Sequence, residues 1–184
     1  MIKILQIRPN VISKTDGINT YCFALKNLFE GDDDIEILPI ENYSGKNTKL
    51  FNCVFDIKGF YKSVKKIDPD VIHINGYLSL CVCQAFWVAR LLKKKIVYTA
   101  HWHPYKNIRR PFAGRCFFNI FLKYIVKRWT DDIITLNNED SAYFHSFCSG
   151  NINQIPHWSH YKNNFRNYSY VNAVFVYIHR CKSR

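Results

Sequence analysis

Pro69-Asp70-Val71-Ile72-His73-Ile74-Asn75-Gly76 and Val97-Tyr98-Thr99-Ala100-His101-Trp102-His103-Pro104 decide how the rest of the chain is read. Two apolar runs, Val71 to Ile74 and Ile96 to Ala100, are β-branched or aromatic-rich and too short for a helix, so each predicts a buried strand. Between them Leu78, Val82, Phe86, Val88, Ala89 and Leu92 recur at helical spacing. The result is one β-α-β unit with parallel strands and a right-handed crossover. Polar residues mark both strand ends: His73 and Asn75 at the first, His101 and His103 at the second. Open α/β sheets bind ligands outside the carboxyl ends of their strands, so this stretch locates the candidate site.

Outward from this unit the alternation continues. A strand over Ile2 to Arg8 is followed by a polar loop, Asn10 to Asp16, and then by Gly17 and a helical face of Ile18, Tyr21, Cys22, Leu25, Leu28 and Phe29. Gly17 allows close backbone approach at this turn, and the helix N-terminus offers N–H groups to an anion. A dinucleotide GxGxxG fingerprint is absent. Ile35 to Ile40 predicts a second strand, residues 41–56 a long loop or short element, and Tyr61, Val64 and Ile67 a short helix closed by Asp68-Pro69. Beyond the central unit come a basic loop (Tyr105 to Arg110) and a helix from Phe112 to Trp129, with Phe117, Ile120, Phe121, Tyr124, Ile125 and Val126 among basic residues. A strand over Asp131 to Leu136, a helix over Glu139 to Phe147 and a short strand over Ile152 to Ile155 complete the pattern. Strand and helix alternate throughout, which predicts the α/β class with a doubly wound parallel, Rossmann-like sheet.

The 184 residues suffice for one such domain and are too few for two, and 48% hydrophobic content argues against disorder. Seven cysteines, an odd number lacking any CxxC pair, sit mostly in apolar patterns and suggest reduced thiols in a cytoplasmic protein. The N-terminus runs straight into a strand without signal-peptide architecture, and no apolar run approaches the about 20 residues needed to span a bilayer. The net charge of +12 is concentrated: residues 71–130 hold eleven basic side chains and no acidic one, whereas residues 1–70 balance ten against ten. An anionic partner at the central segment is implied: phosphate groups, acidic lipid headgroups or nucleic acid.

Several segments together, Ile2 to Arg8, Asp16-Gly17-Ile18-Asn19-Thr20-Tyr21, Pro69 to Gly76, Val97 to His101, Asp131-Asp132-Ile133-Ile134-Thr135 and Ile152-Asn153-Gln154-Ile155-Pro156, resemble the N-terminal domain of GT-B glycosyltransferases of the large retaining family 4. The resemblance covers residues 1–157. It implies an acceptor-binding domain that works with a second, donor-binding domain to move a sugar from a nucleotide-sugar to a glycan or lipid-linked acceptor in cell-surface polysaccharide synthesis. The donor is a substrate, and no cofactor is implied.

Carried over by position, the resemblance makes His101 the cleft histidine that positions the donor sugar, a catalytic role. Gly17 matches the second glycine of the donor-phosphate loop, with Asp16 in place of the first. His73, Asn75 and His103 fall on the acceptor side. A metal held by His101 and His103 is not expected, because no further ligands stand at suitable spacing. Arg109, Arg110, Arg115, Lys123, Lys127 and Arg128, beside Phe112, Phe117 and Phe121, form a candidate anion-binding surface for peripheral contact with the inner face of the plasma membrane. A solvated face of a core helix is the plainer reading of the same residues.

Residues 158–184 resemble a linker and the opening strand of the donor domain, Ala173 to Arg180, with His179 where that family has glycine. The donor-domain lysine and glutamates have no counterpart in these residues, so the resemblance implies a truncated or split enzyme, inactive alone and open to complementation by a separately encoded donor domain. Two other classes stay open: a non-catalytic module binding a phosphorylated sugar or lipid, and a non-specific nucleic-acid binder, for which charge speaks but no recognised motif does.

Overall fold

The computed structural model describes residues 2–7, 17–31, 34–39, 47–48, 53–54, 56–76, 80–101 and 120–155. The expected loops at 10–16 and 105–110, and the strand expected at 173–180, lie outside them. The elements are β1 (Ile2–Ile7), α1 (Gly17–Leu28), β2 (Ile35–Pro39), β3 (Asn47–Thr48), β4 (Cys53–Val54), α2 (Ile57–Ile67), β5 (Val71–Asn75), α3 (Leu80–Leu91) and β6 (Lys95–Thr99). A π-helical segment (Phe121–Val126) then runs into a short α4 (Lys127–Trp129), followed by β7 (Asp132–Thr135), α5 (Asn138–His145) and β8 (Asn151–Gln154).

Six strands form one parallel sheet in the order β2-β1-β5-β6-β7-β8. Two aspartates seat strands at their entry. The Asp70 carboxylate accepts from the backbone N–H of Lys3 at 2.8 Å, and the Asp131 carboxylate accepts from that of Ile96 at 2.8 Å. Each thereby satisfies an N–H on the neighbouring strand before the ladder begins. Helix α2 starts at Asp56, whose side chain accepts from the Gly59 N–H at 3.0 Å, and stops at Asp68 in the left-handed conformation (φ 50°).

Alternation along the strands divides the sheet into two faces. Leu5, Ile7, Ile72, Ile74, Tyr98 and Ile133 share one face and enter the main hydrophobic core. From the helical layer Phe60 and Val64 of α2, Phe86 and Val88 of α3, Phe121, and Phe144 of α5 meet them. The opposite face carries Gln6, His73, Asn75 and Thr99, and α1 brings Tyr21 against it.

The doubly wound parallel sheet matches the sequence expectation, with differences that have physical causes. Within 41–56 lies a small antiparallel pair, Asn47–Thr48 with Cys53–Val54, too short to leave a periodic signature. The helix expected over 112–129 is described from residue 120 and is π-helical first. Its buried residues Phe121 and Val126 are five apart, whereas Ile120 and Tyr124, expected on the apolar stripe, are exposed. Cys22 and Cys148 are buried and Cys83 is half-buried, all as thiols.

Candidate functional site

From β1 the chain passes to β2 on one side and later to β5 on the other, so the strand order reverses between β1 and β5. The carboxyl ends there form the crevice where such sheets bind ligands. The chain leaves β5 through Gly76 at φ 108°, a conformation that favours glycine, and the Gly76 N–H donates to the Thr99 carbonyl at 2.9 Å. After β6 it turns at His101, also left-handed at φ 50°. In a residue with a side chain this costs about 1–2 kcal/mol, which surrounding contacts must offset.

Those contacts form a polar cluster. The His73 and Thr99 side chains meet across β5 and β6, with His73 Nε2 2.9 Å from Thr99 Oγ1. Asn75 Nδ2 donates to the His73 carbonyl at 3.4 Å, and Asn75 Oδ1 lies 3.1 Å from His101 Nε2. The Tyr21 ring stands edge-on to both imidazoles, its centroid 4.7 Å from that of His101 and 6.4 Å from that of His73. His73 is 4% exposed and Asn75 0%, so both lie beneath the half-buried His101. Burial pushes the His73 pKa down to about 4, which leaves its ring neutral at pH 7. Gln6 pairs in register with His73 on the same face, and its Nε2 has no hydrogen-bond partner among the described residues.

Tyr21 sits one turn into α1, so the N-terminal end of that helix, at Gly17, faces the same sheet end. Its first-turn N–H groups and the helix dipole favour an anion there. The half-buried His101 beside a helix N-terminus suits a ligand that carries both hydroxyl and phosphate groups. Among the described residues no three His, Cys, Asp or Glu side chains are grouped to hold a metal ion.

Residues 16–158 match the sequence profile of Glycosyltransferase Family 4. The chain belongs to this family. No curated protein matches it in sequence. Its fold is similar to several solved structures. Against the S. aureus MnaA–UDP co-structure the TM-score is 0.57 at 13% identity, over 84% of this chain and 44% of that one. For the sucrose-phosphate synthase of Thermosynechococcus elongatus the TM-score is 0.55 at 15% identity, over 85% of this chain and 48% of that one. For the UDP-GlcNAc 2-epimerase of Neisseria meningitidis bound to UDP-GlcNAc it is 0.54 at 10% identity, over 99% and 50%. The family 4 chain therefore spans about half the length of these three structures.

Of the residues singled out from the sequence, Gly17, His73, Asn75 and His101 converge on this one sheet end of the family 4 domain. Asp16, His103, Arg109, Arg110 and Arg115 lie outside the described residues. Lys123, Lys127 and Arg128 are exposed on the helical layer of the opposite sheet face, away from the cluster. Sequence reasoning missed Tyr21 and Thr99 as members of the cluster. Both stood in apolar patterns, and only their meeting with histidines from other elements reveals them. It also missed Trp87, 55% exposed on α3 and edge-on to Trp129 with centroids 6.0 Å apart. Trp87 falls off the buried stripe of its helix, which was the available signal.

Proposed function

We propose that this family 4 chain is the acceptor-side half of an enzyme that transfers a sugar from a nucleotide-sugar to a glycan or lipid-linked acceptor in cell-surface polysaccharide synthesis. Residues 1–157 make the acceptor domain, and 158–184 lead toward the donor domain, across a shared cleft. The observation that carries the reading is the cluster of His101, Asn75 and Tyr21 at the switch point of the sheet, next to the N-terminus of α1. In this reading His101 contacts the transferred sugar, Asp16 and Gly17 approach the donor phosphates, and His103 lines the acceptor side. His73 and Asn75 support that surface from beneath. The names of two similar structures, with UDP and UDP-GlcNAc bound, agree with a nucleotide-sugar ligand.

The test is a titration of the chain with UDP-N-acetylglucosamine, followed through backbone amide resonances. The expected result is perturbation centred on Gly17, Gly76 and His101, with binding weakened about tenfold or more by His101→Ala, equivalent to about 1.4 kcal/mol. Silence at those three residues at millimolar ligand overturns the reading.

A second reading, peripheral contact with an anionic membrane, is favoured by one observation. Trp87, Leu91, Ile120 and Tyr124 are exposed large apolar side chains on the same layer as the exposed Lys123, Lys127 and Arg128. Aromatic side chains partition to the headgroup region, and each cation near an acidic surface adds about 1 kcal/mol. No helix among the described residues is long and apolar enough to cross a membrane. Co-sedimentation with phosphatidylglycerol vesicles is expected for the wild type and is expected to be lost when Lys123, Lys127 and Arg128 are all changed to Glu. Equal sedimentation of the two proteins sinks this reading.

A further inference from the structure

The hydrogen-bond directions in the cluster assign a proton, and with it a specific role for Asn75 beneath His101. A carbonyl oxygen only accepts. The Asn75 amide group that faces the His73 carbonyl at 3.4 Å must therefore be its NH₂, and this leaves the amide oxygen as the atom facing His101. An amide oxygen also only accepts, so the His101 nitrogen 3.1 Å away, Nε2, must be the one that carries hydrogen. We infer that Asn75 is the positioning residue for His101: it holds the imidazole with Nε2 protonated and directed inward, so that Nδ1 is the acceptor edge.

Three further observations support this assignment. Asn75 is wholly buried in the last ladder position of β5, opposite Thr99, so its amide cannot swing away from His101. A polar side chain left without partners in such a place would be costly, and the His73 carbonyl and the His101 ring supply them. The Tyr21 ring, edge-on to His101 at 4.7 Å, restricts rotation of the imidazole about its own axis. Finally, His101 holds a left-handed backbone at φ 50°, and the side-chain bond to Asn75 is the tie that offsets this strain. Asn75 thus acts through His101 rather than on a ligand. This role rests on the sugar-transfer reading only for its purpose, since an Nδ1 that carries no hydrogen receives a hydroxyl hydrogen and not a phosphate oxygen.

The test uses the whole chain, labelled with nitrogen-15, and reads the His101 ring directly. In the wild type the Nε2-bound hydrogen is expected as a resolved signal protected from exchange with water. Asn75→Leu removes the acceptor, and exchange is expected to become at least tenfold faster with the sheet amides of Thr99 and Tyr98 unshifted. A ring hydrogen found on Nδ1 in the wild type overturns the inference without any variant, and so does protection that Asn75→Leu leaves unchanged. No sugar enters this measurement. A failed nucleotide-sugar titration with the protected hydrogen present therefore overturns the sugar-transfer reading alone, and the reverse pattern overturns the role of Asn75 alone.

Discussion

Phe86→Ala is expected to lower the free energy of unfolding by about 3–5 kcal/mol, the range for removing a large aromatic from a packed core. Phe86 has no exposed surface, and its ring centroid lies 5.5 Å from that of Tyr98 on β6 and 5.4 Å from that of Phe121 in the π-helical segment. Helix α3 therefore holds two neighbours through one side chain. Truncation removes its transfer free energy and also leaves a cavity that neither ring can fill, because each is anchored on a different element. A domain of this size is stable by about 5–15 kcal/mol, so the loss is a large fraction of the whole. Trp87, the next residue on α3, is the control. It is 55% exposed, and its truncation is expected to cost about 1 kcal/mol or less. Urea unfolding followed by far-ultraviolet circular dichroism reads both variants. Equal midpoints for Phe86→Ala and Trp87→Ala would show that the core is not organised around Phe86. The effect bears on the site because Tyr98 belongs to β6, the strand that ends in His101.

The central unit was legible for a reason specific to parallel sheets. Strands buried on both faces carry clustered apolar residues, and β5 opens with Val71-Ile72, β6 holds Ile96-Val97-Tyr98 and β7 holds Ile133-Ile134. Their ends were harder to place. Asn75 looks like the first loop residue, yet it pairs with Thr99 inside the ladder because its amide finds partners there. The π-helical segment was not legible at all. Phe121 and Val126, both buried, are spaced at five, and a reading tuned to 3.6 places Ile120, just before them, and Tyr124, between them, on the apolar stripe although both are exposed. The two-residue strands β3 and β4 carry no period that any pattern could detect.

At the site, the chemistry of the strand ends was readable and its depth was not. His73, Asn75 and His101 stood out because polar residues close apolar strands, and a position at a strand end implies a crevice. Alternation assigns His73 and Asn75 to one face but cannot say what covers that face. Tyr21 covers it, from a helix distant in sequence, and Tyr21 had already been absorbed into the apolar pattern of α1. Contacts between elements of different period leave no local trace. The polar layer could therefore be located from the sequence and only its burial had to be seen.

That burial has a consequence for acid stability. His73 has a pKa of about 4 in the folded chain against 6.5 for an exposed histidine, because burial penalises the charged ring. Above pH 6.5 the residue is neutral in both states, and its contribution is at its full value. As the pH falls below 6.5 the unfolded chain takes up a proton that the folded chain refuses, so stability drops by about 1.4 kcal/mol per pH unit. The loss continues until the pH reaches the folded pKa of about 4, by which point it amounts to about 3 kcal/mol from this residue. Most of it, about 2 kcal/mol, falls between pH 6.5 and 5, where few ordinary carboxylates titrate. His73→Gln isolates the effect, since an amide can keep a hydrogen bond to Thr99 without taking up a proton. Denaturant midpoints measured across this interval are expected to fall more steeply for the wild type than for His73→Gln. Parallel slopes would mean that the imidazole meets water in the folded state, and the layer beneath His101 would then be open rather than sealed.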